Sequence, residues 1–312
     1  MKSLIIGAGG FVGSYLIDCL VKDAEQSICA TKMANEKIDR TDILVADLDI
    51  LDKSSIISLL NNFKPDYIYH LAAQSSVKLS WDNPGLTVDI NIKGTLNVLD
   101  AIRESNLTPR ILLIGSGEEY GHVAPNELPI NENNLLRPGN IYAATKCAQN
   151  FIGSIYNKAY SMDIMMVRAF NHIGPKQSPI FVVSDFCKQL AEIEKGLREP
   201  IIYVGNLSSK RDFTDVRDVV CAYKMLMQKG KSGETYNVGS SKAITMQEIL
   251  DKLLTLSKTE VKVVIDQSKF RPVDVPVINA DITKINKQTG WKPVIPIEQT
   301  LLETFNYWKN HL

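Results

Sequence analysis

The sequence predicts an α/β fold: a doubly wound parallel sheet in the first part of the chain, followed by a smaller C-terminal lobe. Over roughly the first 170 residues, short apolar runs alternate with longer stretches of helical periodicity, the pattern of a parallel sheet covered by helices on both faces. A glycine-rich turn, Gly7-Ala8-Gly9-Gly10-Phe11-Val12-Gly13, joins the first apolar run to the first helical stretch. After about Asn171 the alternation loosens into loops and scattered elements, which reads as a second lobe.

In chain order, strands are expected over 3–6, 27–30, 43–46, 67–71, 110–115 and 164–168. Each is a short apolar run of strand length, and six of them suit a doubly wound sheet closed by right-handed crossovers. Between them, helices are expected over 11–21, 53–62, 88–104 and 142–160, the last two long enough to build a subunit interface as well as cover a sheet. In the second lobe, elements are expected over 181–195, 201–204, 216–228, 235–238, 246–256 and 261–265. Proline and arginine then gather over 270–276, ahead of a helix near 281–289 and a terminal helix from Ile297. The expected division is 1–170 for the sheet domain, with 213–240 returning to it, and 171–312 mainly for the second lobe. Repeats, low-complexity tracts and linkers are not apparent.

With 45% hydrophobic and 22% charged residues, the 312-residue chain has the composition of a globular protein, which argues against long disordered stretches. Lys plus Arg and Asp plus Glu are each 35, so no overall field favours nucleic acid or an anionic membrane, and an anionic ligand must be met by local groups. The start, Met1-Lys2-Ser3 running into Leu4, lacks a leader-like core, and no run approaches the ~18 apolar residues of a membrane span. A cytoplasmic enzyme is expected. Five widely spaced cysteines, Cys19, Cys29, Cys147, Cys187 and Cys221, read as reduced and structural, and no metal site is expected.

The glycines Gly7, Gly10 and Gly13 have G-x-x-G-x-x-G spacing between a strand and a helix. The first suits a tight turn, the second lets backbone approach a pyrophosphate, and the third lets helix and strand pack closely. This Rossmann-type arrangement would put the phosphates of a dinucleotide on the helix N-terminus at Phe11, Val12 and Gly13. Where such sites carry an acid closing the second strand, this chain reads Ala30-Thr31-Lys32. Lys32 would meet a 2′-phosphate, so NADPH is expected as cofactor ahead of NADH; the alternative is that Lys32 is a solvated loop residue.

Tyr142 and Lys146, four apart at the start of an expected helix, project from one face. A neighbouring ammonium would favour the phenolate and bring the phenol toward acid/base range. Ser116, at the carboxyl end of the fifth expected strand, lies where open parallel sheets bind ligands, and would hydrogen-bond a carbonyl oxygen with which Tyr142 exchanges a proton.

With these residues in place, the chain resembles the extended short-chain dehydrogenase/reductase family over nearly its whole length. The shared stretches are the glycine turn, His70-Leu71-Ala72-Ala73-Gln74-Ser75-Ser76-Val77, Asn91-Ile92-Lys93-Gly94-Thr95, Ser116 with Tyr142 and Lys146, and Arg168-Ala169-Phe170-Asn171-His172-Ile173-Gly174-Pro175. Val204-Gly205-Asn206-Leu207, the segment from Lys210 to Asp218, and Arg271-Pro272 narrow the likeness to the GDP-mannose branch. Within it the chain is most similar to GDP-6-deoxy-D-mannose reductases and is close to GDP-mannose 4,6-dehydratases.

The resemblance implies NADPH-dependent reduction of the C4 keto group of GDP-4-keto-6-deoxy-D-mannose to GDP-D-rhamnose. It assigns Ser116, Tyr142 and Lys146 to catalysis, with Lys146 lowering the tyrosine pKa and holding the nicotinamide ribose. Asp47 and Leu48 would sit near the adenine, and Leu71, Ala72 and Ala73 would line the cofactor groove. Arg211 and Arg271 would meet the diphosphate, since a guanidinium fork suits phosphate. Asn171, the backbone near Val183, and Lys188 would add further contacts. Glu118 stands where dehydratases carry a base for C5, which makes dehydratase activity the competing reading, but Gly117 lacks the side chain usual beside it. An epimerase is a third reading and a non-catalytic dinucleotide sensor a fourth. A homodimer is expected through helices 88–104 and 142–160; the helical spacing of Phe151, Ile152, Ile155 and Tyr156 fits that interface or burial against their own sheet equally.

Overall fold

The computed structural model describes residues 1–23, 26–270 and 275–312. The strands among them are β1 (Lys2–Ile6), β2 (Ser27–Lys32), β3 (Leu44–Asp47), β4 (Tyr67–His70), β5 (Arg110–Ser116), β6 (Ile164–Ala169), β7 (Asn171–Ile173), β8 (Ile201–Val204), β9 (Lys210–Asp215), β10 (Thr235–Val238), β11 (Ala243–Thr245) and β12 (Lys262–Ile265). The α-helices are α1 (Phe11–Leu20), α2 (Lys53–Phe63), α3 (Val77–Asp82), α4 (Pro84–Val88), α5 (Gly94–Glu104), α6 (Ile141–Tyr160), α7 (Val182–Glu194), α8 (Val216–Lys229), α9 (Met246–Leu256), α10 (Thr283–Thr289) and α11 (Ile297–His311). None of the described helices is long and apolar enough to cross a membrane.

The main sheet is seven-stranded in the order β10-β6-β5-β4-β1-β2-β3, and its neighbouring strands are parallel. Its inner strands are mostly apolar on both faces, and successive residues serve opposite cores, whereas the edge strand β3 is largely exposed. On β1, Ile5 packs with Leu16 and Leu20 of α1 and Val219 and Tyr223 of α8, while Leu4 and Ile6 pack with Leu60 of α2 and Val98 and Ile102 of α5. On β6, Met165 and Val167 join the first of these cores and Ile164 and Met166 the second. The six expected strands are present, and β10 adds a seventh beside β6, with Thr235 opposite Met166. A separate core, with Phe186 and Leu190 of α7, Ile249 of α9 and Phe305 of α11, holds the later elements around the three-stranded sheet β11-β9-β7 and the pair β12-β8.

The helix expected over 88–104 is interrupted. Between α4 and α5, Asp89–Lys93 form a π-helical turn. It carries Asn91, fully buried, whose side chain accepts from the Gln74 N–H at 2.8 Å and donates to the Gln74 carbonyl at 3.0 Å and to Thr145 Oγ1 of α6 at 3.0 Å. An inserted residue of this kind appears at functional positions in other helices, and here it ties the loop after β4 to α6. Replacing Asn91 with alanine orphans two buried backbone groups, and denaturant unfolding is expected to show a loss of roughly 2–4 kcal/mol at unchanged m-value. A loss near zero would mean that Asn91 does not join these segments.

Candidate active site

The glycine turn lies between the carboxyl end of β1 and α1, at the point where the strand order reverses between β1 and β4. Gly7 has φ +85°, and a Cβ there would stand 2.6 Å from the Ala72 backbone. The N–H groups of Leu71 and Ala72 both donate to the Ile6 carbonyl, each at 2.9 Å, which brings the segment after β4 against the turn. Gly13 packs its bare Cα onto Ala8. Gly10 caps α1 with no side-chain cap bond, so the first-turn amides at Phe11, Val12 and Gly13 face the sheet edge without one. This is a cradle that fits a dinucleotide pyrophosphate. The Phe11 ring stacks on His172, with centroids 6.2 Å apart, and the Tyr15 hydroxyl donates to the Pro175 carbonyl at 2.8 Å, so α1 also touches the chain beyond β6.

The strand edge beside this turn differs from the sequence expectation. Lys32, expected to meet a 2′-phosphate, is ion-paired with Asp47 of β3 at 2.5 Å, because parallel pairing of β2 and β3 sets the two side by side. Asp47, expected near the adenine, is thus the partner of Lys32. Leu48 is buried in the core shared with α2 and α5 and donates its N–H to the Lys32 carbonyl at 2.9 Å. An acid that sequence spacing missed stands here instead: Glu36, whose Oε2 accepts from the Met33 N–H at 2.9 Å and whose carboxylate occupies the space a Cβ on Gly9 would need. The turn from Met33 to Glu36 folds that acid back over the glycines.

Ser116 ends β5 and caps a short 3-10 turn, Gly117–Tyr120. Its Oγ accepts from the Glu118 N–H at 3.2 Å, and its own N–H donates to Glu119 Oε1 at 2.8 Å. Tyr142 sits in the first turn of α6, capped by Asn140, which accepts from the Ala143 N–H. The structure brings Ser116, Glu118 and Tyr142 together: burial pushes the Tyr142 phenol well above its ordinary value, a hydrogen bond with the Ser116 side chain opposes that, and the Glu118 and Glu119 charges add to it. Asn140 Nδ2 donates to Glu118 Oε2 at 3.3 Å.

Lys146 corrects an expectation. Its Nζ donates to the Ile114 carbonyl at 2.7 Å and to Gln149 Oε1 at 2.9 Å, and the Tyr142 phenol is raised, not lowered. One turn along α6 the ammonium reaches the β5 backbone, where burial brings Lys146 down to about 8, against the pull of Glu119. Nearby His70 is fully buried and held near 3 by burial and by the Lys146 charge, so it stays neutral, with Nε2 3.1 Å from Thr95 Oγ1.

The residues expected to hold an anionic ligand are spread over β7, α7 and β9. Asn171 lies on β7 opposite Phe213 of β9. Val183 is in the first turn of α7, a helix with no side-chain N-cap bond. Lys188 pairs with Glu192 at 3.6 Å and lies 5.5 Å from the Trp308 ring centroid, bordering a polar cavity of about 430 Å³ that also touches Asp185, Tyr203 and Lys269. Arg211 on β9 is 6% exposed, and its Nη1 donates to the carbonyls of Lys210 and Val275 at 2.9 and 2.6 Å. Arg271 lies outside the described residues.

The model of the GDP-mannose 4,6 dehydratase family matches residues 4–304. This chain belongs to that family. Among its relatives is the GDP-6-deoxy-D-mannose reductase of Pseudomonas aeruginosa, 33% identical over 264 residues, 85% of this chain and 86% of the relative. GDP-mannose 4,6 dehydratase 2 of Arabidopsis thaliana is 31% identical over 317 residues, 95% of this chain and 84% of the relative. In structure, RMD from Pseudomonas aeruginosa complexed with NADPH superposes with a TM-score of 0.89 at 30% identity, covering 100% of this chain and 99% of the other. Family membership makes the chain a nucleotide-sugar enzyme on a Rossmann-type fold, and the glycine cradle and the Ser116–Tyr142 pair are the parts of this structure that suit such chemistry.

Lys146 links the site to stability. Its folded value of about 8 lies below the ordinary lysine value, so between these limits the unfolded chain binds the extra proton and stability rises with pH. Relative to Lys146→Met, the unfolding free energy of the wild type is expected to climb as pH increases from about 8 to about 10. Parallel curves in denaturant melts over that range would contradict the buried ammonium.

Proposed function

We propose that this chain is the reductase of its family, converting GDP-4-keto-6-deoxy-D-mannose to GDP-D-rhamnose with NADPH. When bound in the glycine cradle, the dinucleotide supplies a hydride for sugar C4. The Ser116 hydroxyl and the Tyr142 phenol, neighbours at the sheet edge, would then face the C4 oxygen. A phenol raised by burial keeps its proton until negative charge develops on that oxygen, which suits a proton donor. Lys146 acts from beneath, holding the Ile114 carbonyl under the Ser116 turn and placing a cation near the floor of the site.

The observation that carries reduction over dehydration is Gly117. A Cβ there would come within 3.1 Å of the Phe170 ring, so the ring fills the space in which a side chain would have to serve a departing C6 hydroxyl. Glu118 beside Tyr142 is the observation that favours the second reading, a GDP-mannose 4,6-dehydratase. For the diphosphate, the uncapped first turn of α7 near Val183 is the proposed anchor, together with Arg211, Arg271, Asn171 and Lys188.

The proposal extends to a homodimer. On α6, Phe151 and Ile155 are each 58% exposed while Ile152 and Tyr156 pack inward, and exposed Leu86 and Val88 stand on α4. Apolar side chains of this size on neighbouring helices form a surface that a second copy would cover.

Purified protein is expected to oxidise NADPH with GDP-4-keto-6-deoxy-D-mannose and not with GDP-mannose, and Tyr142→Phe to lower kcat at least ~100-fold. Conversion of GDP-mannose to the 4-keto sugar without net NADPH loss would instead assign the dehydratase, and Glu118→Gln would then abolish it. Light scattering at micromolar concentration is expected to give a dimer, and Phe151→Glu with Ile155→Glu a monomer. A wild-type monomer would remove α6 from this role.

A further inference from the structure

Two charged features meet at the corner where a dinucleotide bound by the glycine turn would place its adenosine ribose. The first is the Lys32–Asp47 pair at 2.5 Å, with the Lys32 side chain 16% exposed and the Asp47 side chain 62% exposed. The second is Glu36, four residues beyond Lys32, bonded to the Met33 N–H and lying over Gly9. In doubly wound folds the ribose 2′ position is read at the end of the second strand, by an acid that accepts from a hydroxyl or by a cation that meets a phosphate. Here the cation already has a carboxylate partner, and a second carboxylate reaches over the turn from beyond the strand end.

From this placement we propose that Glu36 is a cofactor-selectivity residue. It accepts from the ribose 2′-hydroxyl of NADH and opposes the 2′-phosphate of NADPH, narrowing the margin that Lys32 gives to NADPH. The charge logic is direct. A 2′-phosphate beside Glu36 brings two anions together, while Lys32 must loosen from Asp47 to meet it. A 2′-hydroxyl imposes neither demand and donates a hydrogen bond to an acceptor already held in place by the Met33 N–H. The proposal rests on the reading of the glycine turn as a dinucleotide site.

The test is binding of NADH and NADPH to the full chain without sugar, followed by nicotinamide fluorescence, for the wild type, Glu36→Gln and Asp47→Asn. Glutamine keeps an oxygen for the Met33 N–H and removes the charge. Glu36→Gln is expected to shift the ratio of the two dissociation constants toward NADPH by at least roughly fivefold, the effect of one unit-charge contact in water. Asp47→Asn, which leaves Lys32 without its carboxylate, is expected to tighten NADPH and leave NADH near its wild-type value. If Glu36→Gln weakens both cofactors equally, or moves neither, the residue is a turn cap and the proposal fails. Should Glu36→Gln not fold, an Asp47→Asn variant with an unchanged ratio overturns the account of Lys32, and Glu36→Ser tests the acid itself. A wild type that binds neither dinucleotide would overturn the reading of the glycine turn; a wild type that binds both with an unresponsive ratio would overturn this proposal alone.

Discussion

A single buried carboxylate organises the floor of the site. Glu119 is fully buried, and its two oxygens accept from the Ser116 N–H at 2.8 Å, from Asn150 Nδ2 of α6 at 2.5 Å and from Arg168 Nε of β6 at 2.9 Å. Burial pushes Glu119 up, and the Arg168 charge with these three donors pulls it back. An uncompensated charge in such a place is costly, so each donor must keep its position for the others to be worth keeping. Arg168 in turn donates to the Tyr120 hydroxyl at 2.9 Å, and Tyr120 donates to Asn237 of β10 at 2.7 Å. The direction of Ser116 therefore follows from a network that reaches across β5, β6, β10 and α6.

The second constraint is topological. Reversal of strand order between β1 and β4 opens the sheet edge where the glycine turn needs room, and the Ile6 carbonyl, taking two N–H groups, holds Leu71 and Ala72 against that turn. The same helix that presents the turn touches the later lobe through Phe11 on His172 and Tyr15 on the Pro175 carbonyl. The glycine turn and the later lobe thus share walls built on α1. Asn91, inside the π-helical turn, adds a third tie by joining the loop after β4 to the helix that carries Tyr142.

Much of the architecture was legible because it depends on local pattern. The six expected strands and the long helix carrying Tyr142 stand where apolar runs and helical periodicity put them. The glycine turn and the Ser116–Tyr142 pair were equally visible, since each is set by residues close in sequence to a strand end or a helix start. Strands β7 and β11 were not, because three residues cannot show a period, and β9 was hidden by the charged residues Lys210, Arg211 and Asp212 within it. The π-helical turn inside the expected helix 88–104 was also out of reach, since its cause is a contact between Asn91 and residues 17 and 54 positions away.

Sequence by itself determined the fold class, the glycine turn between β1 and α1, and the positions of Ser116 at a strand end and Tyr142 at a helix start, all consequences of spacing along one or two elements. Tertiary structure decided the charges. Lys32 is neutralised by Asp47 because two parallel strands lie side by side, and Lys146 bonds to a β5 carbonyl because α6 packs on that strand. Glu36 reaches Gly9 because a turn folds back. Electrostatic partners are chosen by distance in space, and Coulomb interactions between exposed charges are largely screened beyond roughly 10 Å. A motif can name the charged residue, but only packing can name its partner.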